Sequence, residues 1–295
     1  AIPMGFQIFT DSAANLPTPF AKEHNIGVLC LSYCMEGKSY QCPDTEDFDY
    51  PAYYEAMMNG PVITTSQVTP GQYMEQLEPV LAAGEDVLFV SLSAGISGCY
   101  ASGCMAREHL LEKYPQRQIV MVDSMGAGMG EGILVTKALE FKAQGMTARE
   151  AGEKLEALKK KLCQIFSVDN LMYLKKGGRL SGAAALVGSV LNIKPLLKGS
   201  AEGKIVPFGK VRGRKALLNR LAEIYKERVV NPGEQIVAIS HCDCLADAQY
   251  LKEQILSAHA PKELWVVNHE PVTGSYLGKG GIALFFLGDE DVRNI

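Results

Sequence analysis

Hydroxyl side chains cluster at two places in this 295-residue chain. Thr64-Thr65-Ser66-Gln67 stands just ahead of Val68, Thr69, Pro70 and Gly71, where a helix is predicted to begin. A Thr before a Pro in a first helical turn is ordinary capping chemistry, but three adjacent hydroxyls and a carboxamide exceed what one cap requires. The second place is SLSAGISGCY, Ser91 to Tyr100, where Gly95 and Gly98 flank Ser97 and let a ligand approach the backbone. Neutral donors of this kind satisfy a carboxylate or phosphate without a positive charge, because an anion accepts several charge-assisted hydrogen bonds at once. The rival chemistry is a nucleophilic serine. Ser97 lies outside a G-x-S-x-G elbow and has no adjacent His, so its base would have to come from elsewhere in the fold.

Other signals are weaker. Gly126, Gly128, Gly130 and Gly132 follow a strand pattern without the G-x-G-x-x-G spacing, and GSAEGKI is one residue short of a P-loop, which disfavours a nucleotide. His241-Cys242-Asp243-Cys244 has metal-ligating residue types but no second pair at zinc spacing, and a strand end with Asp243 as a helix cap accounts for it equally; neither metal nor cofactor is expected. Lys175, Lys176 and Arg179, then Lys210, Arg212, Arg214 and Lys215, form two cationic clusters that read as solvated surface or as a dock for an acidic partner. The apolar residues around Leu186, Val190, Leu191 and Ile193 read as core, with the lining of an acyl tunnel as the alternative.

The elements that must position these groups alternate. Apolar runs rich in Val, Ile and Phe (FQIFTDS, GVLCLSY, EDVLFVSLS, QIVMVDS) read as strands buried on both faces. Between them lie helical patterns over 71–83, 100–114 and 131–162, the last broken near Gly145. Strand–helix alternation predicts a parallel sheet covered on both sides, an N-terminal three-layer α/β/α domain over residues 1–163. The texture changes afterwards, with a hairpin around Glu202-Gly203 and the runs QIVAISH, ELWVVNHE and GIALFFLG, predicting a second α/β domain with a mixed sheet over 164–295. Several first-half strands end in small polar residues (Thr10, Asp11, Ser12; Ser91, Ser93; Asp123, Ser124), and the carboxyl ends of parallel strands are where such sheets bind ligands. Each of these is equally at home as a helix N-cap.

Composition sets the outer bounds. Hydrophobic residues make up 47% and charged residues 21%, and the formal net charge is -4, so the chain is a globular protein with no basic field for nucleic acid. The eight cysteines are scattered through apolar runs, which fits a reducing cytoplasm. No segment has the length of apolar sequence a membrane span needs, and the start lacks a basic region followed by an apolar stretch, so neither a span nor export is expected.

Eight segments, taken in order, resemble the DegV family, whose members bind fatty acids: FTDSAANLP, TTSQVTPGQY, SLSAGISGCYASG, VDS, YLKKGGRLSG, LNIKPLL, GKVRGRKAL and VTGSYLGKGG. The resemblance covers nearly the whole chain. It implies two domains with a long-chain fatty acid between them, its carboxylate held by Thr65 of the TSQ segment and Ser97 of the SG segment, beside Thr64 and Ser66. It further implies a carrier and not an enzyme, which presents its cargo to a fatty acid kinase that makes an acyl phosphate for phospholipid synthesis. Arg179 and Arg212 match positions implicated in docking that kinase. The family's C-terminal motif usually carries a histidine followed by G-P-G, whereas Tyr276, Gly278, Lys279 and Gly280 stand here, so the Tyr276 hydroxyl is expected to take the histidine's supporting role. An acyl-ester hydrolase using Ser97 and a lipid-sensing regulatory protein are the competing readings.

Overall fold

The computed structural model describes residues 5–181 and 192–295, so Leu186, Val190 and Leu191 of the suggested tunnel lining lie outside the described residues. The strands are β1 (Phe6–Asp11), β2 (Gly27–Leu29), β3 (Ser32–Met35), β4 (Lys38–Tyr40), β5 (Ile63–Ser66), β6 (Asp86–Ser91) and β7 (Ile119–Asp123). They continue with β8 (Leu162–Ser167), β9 (Ile193–Gly199), β10 (Ile205–Arg212), β11 (Ile236–His241), β12 (Glu263–Asn268) and β13 (Ile282–Leu287). A four-stranded sheet has the order β2-β1-β6-β7 and is parallel throughout. A six-stranded sheet has the order β10-β9-β8-β13-β11-β12 and is mixed, with β11 and β12 parallel and its other pairs antiparallel. The α/β architecture with one parallel and one mixed sheet is that expected from the sequence.

The parallel sheet is covered on both faces because its strands are apolar on both. Phe9, Val87 and Phe89 pack with Leu77 and Leu81 of the helix Pro70–Ala82, while Ile8, Leu88 and Val90 face Ile133 and Leu155 on the opposite side. This is the period-two alternation of a strand sorting side chains into two cores. The helices Met129–Ala143 and Ala148–Leu158 supply that second layer, and the first of them also packs on β11 and β13, joining the two sheets. Gly145, with φ of +84°, makes the break between the two helices. Thr69 and Thr147 start their helices with capping boxes closed by Gln72 and Glu150.

The mixed sheet is asymmetric. Cys163, Ile165, Leu284 and Phe286 turn outward into a core with the helices Arg214–Arg228 and Leu245–Ala258. Their strand neighbours Gln164, Phe166, Ala283 and Phe285 turn inward toward the parallel sheet.

Two sequence expectations are corrected. GVLCLSY is not one strand: β2 joins the parallel sheet, and after Cys30 and Leu31 the chain enters β3 of a separate antiparallel sheet, β4-β3-β5. Asp243 does not cap a helix; Cys244 holds that position, and Asp243 sits at φ +55° with its carboxylate 3.5 Å from Lys279 Nζ.

Candidate functional site

The parallel sheet has its switch point between β1 and β6: the chain leaves β1 to form β2 on one side and returns as β6 on the other. Such a reversal leaves a crevice beyond the strand ends. A cavity of about 460 Å³ opens there, walled by the loops after β6 and β7 and by the inward face of β8 and β13. Among the polar strand-end residues singled out from sequence, Ser93 lines it. Asp11 and Asp123 instead hold the loops in place: Asp11 accepts from the amides of Ala13 and Leu92, Asp123 from those of Ala94 and Met125.

At the rim, β5 presents Thr65 to the cavity, with Ser66 and Gln67 beside it. Thr64 is exposed and is not among the residues that line the cavity. Thr65 Oγ1 lies 2.5 Å from the Tyr276 hydroxyl. The Tyr276 ring packs against Gly177, where a Cβ would collide with it, and the Arg179 guanidinium sits 5.2 Å from the ring centroid. Arg179 is fixed by donating Nε–H to the Ile96 carbonyl at 3.2 Å and Nη1–H to that of Gly177 at 2.7 Å. It is thus half-buried in the cavity rim, whereas Arg212 is exposed on β10 and away from it.

Ser97 reaches the same rim from the loop after β6. Its Oγ accepts the Cys99 amide at 3.2 Å, and among the described residues that is its one hydrogen bond. Among the described residues no His or carboxylate is hydrogen-bonded to it. The helix Cys99–Lys113 begins at once, and its N-cap, Gly98, has no side chain to cap it. Gln67 lies across Gly98 and donates Nε2–H to Ser102 Oγ at 3.0 Å. The rim therefore combines hydroxyls, a carboxamide, one fixed cation and the partial positive charge of a helix N-terminus.

Inside, Leu31, Leu92, Phe166, Val272, Leu277 and Phe285 make the wall apolar. One polar island interrupts it, and the sequence reading missed it: His269 and Thr273. His269 Nδ1 is 2.9 Å from Ser240 Oγ and Nε2 is 2.7 Å from Thr273 Oγ1. Thr273 Oγ1 donates in turn to Glu270, whose carboxyl also accepts the amides of Val272 and Thr273 at the start of the helix Pro271–Gly274. Burial pushes the His269 ring down to about 4 and the Glu270 carboxyl up to about 7. A neutral ring donating from Nε2 and accepting at Nδ1 gives both ring nitrogens a partner, so a hydrocarbon chain passing His269 strands neither. The sequence signal was a His-Glu-Pro run at a strand end, where the carboxylate is an N-cap. Among the described residues no group of three or more His, Cys, Asp or Glu side chains could hold a metal ion, and the cysteines are unpaired.

An anionic head and an apolar tail is the amphiphile this geometry accommodates. The DegV family model, described as an uncharacterised protein family, matches residues 5–289. The chain belongs to the DegV family. A DegV domain-containing protein of Clostridium perfringens is 39% identical over 284 residues, covering 96% of this chain and 98% of that one. Among solved DegV structures, a fatty acid binding DegV family protein from Streptococcus agalactiae is 30% identical with a TM-score of 0.84, over 97% of this chain and 99% of that one. A DegV family protein from Thermus thermophilus, described by its fatty acid binding, is 25% identical with a TM-score of 0.88, over 97% of this chain and all of that one, 100%. No helix among the described residues of this DegV protein is long and apolar enough to cross a membrane.

Proposed function

We propose that the protein is a carrier that binds a long-chain fatty acid in this cavity, with the carboxylate at the rim on Thr65 and Ser97 and the tail inward against Phe166 and Phe285. The observation that carries the reading is the polarity gradient of one cavity: hydroxyls, Arg179 and a helix N-terminus outside, apolar side chains inside. Fatty acid binding by solved relatives at 25% and 30% identity supports it. Each buried methylene is worth about 0.8 kcal/mol, so the tail dominates affinity, and the costs of immobilisation are subtracted from that gain. Head-group hydrogen bonds to a charged acceptor add roughly 1.5 to 3 kcal/mol each and choose the acid over its esters. The Tyr276 hydroxyl, already on Thr65, positions that hydroxyl for the carboxylate.

Two finer elements belong to the same proposal. Residues 1–163 and 164–295 act as two domains whose seam holds the lipid, and the carboxylate is presented to a fatty acid kinase. Exposed Lys175, Lys176, Lys210 and Arg212 pair with no carboxylate among the described residues and suit an acidic partner surface. The protein performs no chemistry on its cargo, in keeping with a Ser97 hydroxyl that has no hydrogen-bonded base among the described residues.

The test is a binding titration of a labelled long-chain fatty acid, run beside turnover of an acyl ester of the same chain. Saturable binding of the acid with no ester turnover is expected. Ester turnover that disappears in Ser97→Ala would replace the carrier with a hydrolase.

A further inference from the structure

Among the described residues that line the cavity, Arg179 and Lys204 are the cations, and none is a carboxylate. Arg179 is committed: its Nε and Nη1 donate to the carbonyls of Ile96 and Gly177, and its guanidinium lies over the Tyr276 ring. Lys204 is exposed and makes no ion pair among the described residues, so its ammonium is available to a charged ligand.

The backbone of Lys204 is held in place by its neighbours. It closes the turn between β9 and β10: the Ser200 amide donates to the Lys204 carbonyl at 2.8 Å, and the Ser200 hydroxyl accepts the amides of Glu202 and Lys204 at 3.3 and 3.2 Å. On one side this turn lies against the loop that carries Ser97. Ser93 Oγ donates to the Gly203 carbonyl at 2.6 Å, and a Cβ at Gly95 would stand 2.5 Å from that carbonyl oxygen, so the close approach requires glycine there. The Ser93 carbonyl accepts the amides of Ile96 and Ser97, each at 3.2 Å, so one residue orders the Ser97 loop and the turn together. On the other side the Ile205 carbonyl accepts the Ser181 amide at 2.9 Å, and Ile205 bridges to Leu180, the residue after Arg179. Lys204 stands between these two contacts, one leading to Ser97 and the other to Arg179.

We infer that Lys204 is the counter-ion of the bound carboxylate and sets the preference for an acid over its uncharged ester, with Ser93 as the residue that positions it. The inference rests on the fatty-acid reading of the cavity and goes beyond it by naming the side chain that reads the charge. An ammonium is a compact point charge on a flexible stem, whereas Thr65 and Ser97 carry short hydroxyls close to the backbone. The hydroxyls therefore orient the carboxylate and Lys204 neutralises it. Exposure keeps this pair in a high dielectric, so its effect is modest and falls as salt is added.

The experiment titrates the full chain with a labelled long-chain fatty acid and with its methyl ester, each at low and at high salt. Lys204→Gln is expected to weaken the acid about fivefold, to leave the ester unchanged and to flatten the salt dependence of acid binding. Lys204→Arg keeps the charge and with it the wild-type ratio of acid to ester affinity. Ser93→Ala releases the turn, so Lys204→Gln added to it costs the acid less than it does in the wild-type background. Lys204 is exposed, so its two variants decide the question if Ser93→Ala does not fold. Equal losses for acid and ester in Lys204→Gln, or an unchanged acid affinity, overturn the counter-ion; additive losses in the double variant overturn its positioning by Ser93. Absence of binding of acid and ester alike by the wild type is a different result, which removes the fatty-acid reading and the counter-ion with it.

Discussion

The parallel sheet reaches the cavity with the loops that follow its strands, whereas the mixed sheet reaches it with the face of β8 and β13. Loops offer backbone amides, small hydroxyls and a helix N-terminus, which are head-group chemistry; a sheet face offers side chains in register, which are tail chemistry. Gln164 is where the two meet, a sheet residue whose carboxamide belongs to the β7 loop. The division of labour follows from the two topologies. A parallel sheet buried on both faces has only its strand ends free, while the mixed sheet, covered by two helices on its outer face, shares its inner face between the helix Met129–Ala143 and the cavity.

The comparison breaks most visibly on the sheet face. Phe166→Asp places a carboxylate in the apolar wall, and fatty acid binding is expected to fall by more than a hundredfold, read by titration with circular dichroism to confirm the fold. If binding survives, the tail lies elsewhere.

The next effect is on stability. His269 stays neutral in the folded protein down to about 4 against an ordinary 6.5, so taken alone it loses stability as pH falls from 6.5 to 4. Glu270 keeps its proton up to about 7 against an ordinary 4.5, so taken alone it loses stability as pH rises from 4.5 to 7. Between 4.5 and 6.5 the folded pair and the unfolded pair each hold one proton, and their contributions cancel. Thermal melts of the wild type are therefore expected to show no slope from this pair in that window. Glu270→Gln should lose about 3 kcal/mol as pH falls through it, and His269→Gln a similar amount as pH rises from 4.5 to 7. Slopes of the same sign in the two variants would contradict the assigned protonation.

At the rim, where β5 and the loop after β6 meet, the effects are smaller. Thr65→Ala and Ser97→Ala are each expected to weaken the acid by roughly 1.5 to 3 kcal/mol while leaving the methyl ester nearly unaffected, measured by parallel titrations. Tyr276→Phe removes only the support of Thr65 Oγ1 and should cost about 1 kcal/mol.

Much of the scaffold was legible because it obeys local rules. The helix starts at Thr69 and Thr147, the break at Gly145 and the hairpin at Glu202-Gly203 are capping and turn chemistry written in adjacent residues. GVLCLSY was not, because a continuous apolar run does not say which sheet each part will join. The helix Tyr50–Met58 escaped notice although Asp49 caps it and Pro51 stands in its first turn. At the candidate site, Thr65 and Ser97 stood out by type and spacing, and the alternating exposure along β5 leaves Thr64 outside the cavity lining. His269, Thr273 and Gln164 did not stand out, since their meaning comes from partners such as Ser240, Gly126 and Gly199, distant in sequence. Arg179 read as solvated surface or as a dock for an acidic partner because a basic, glycine-rich loop is usually exposed; its anchors Ile96 and Gly177 are visible only in three dimensions.

The most direct test of a lipid cargo is denaturing mass spectrometry of whatever small molecule accompanies the purified chain. The account predicts a free long-chain fatty acid, chemically unmodified and close to one per protein, which Phe166→Asp no longer retains. An absence of lipid from a protein that also fails to take up added fatty acid would contradict it.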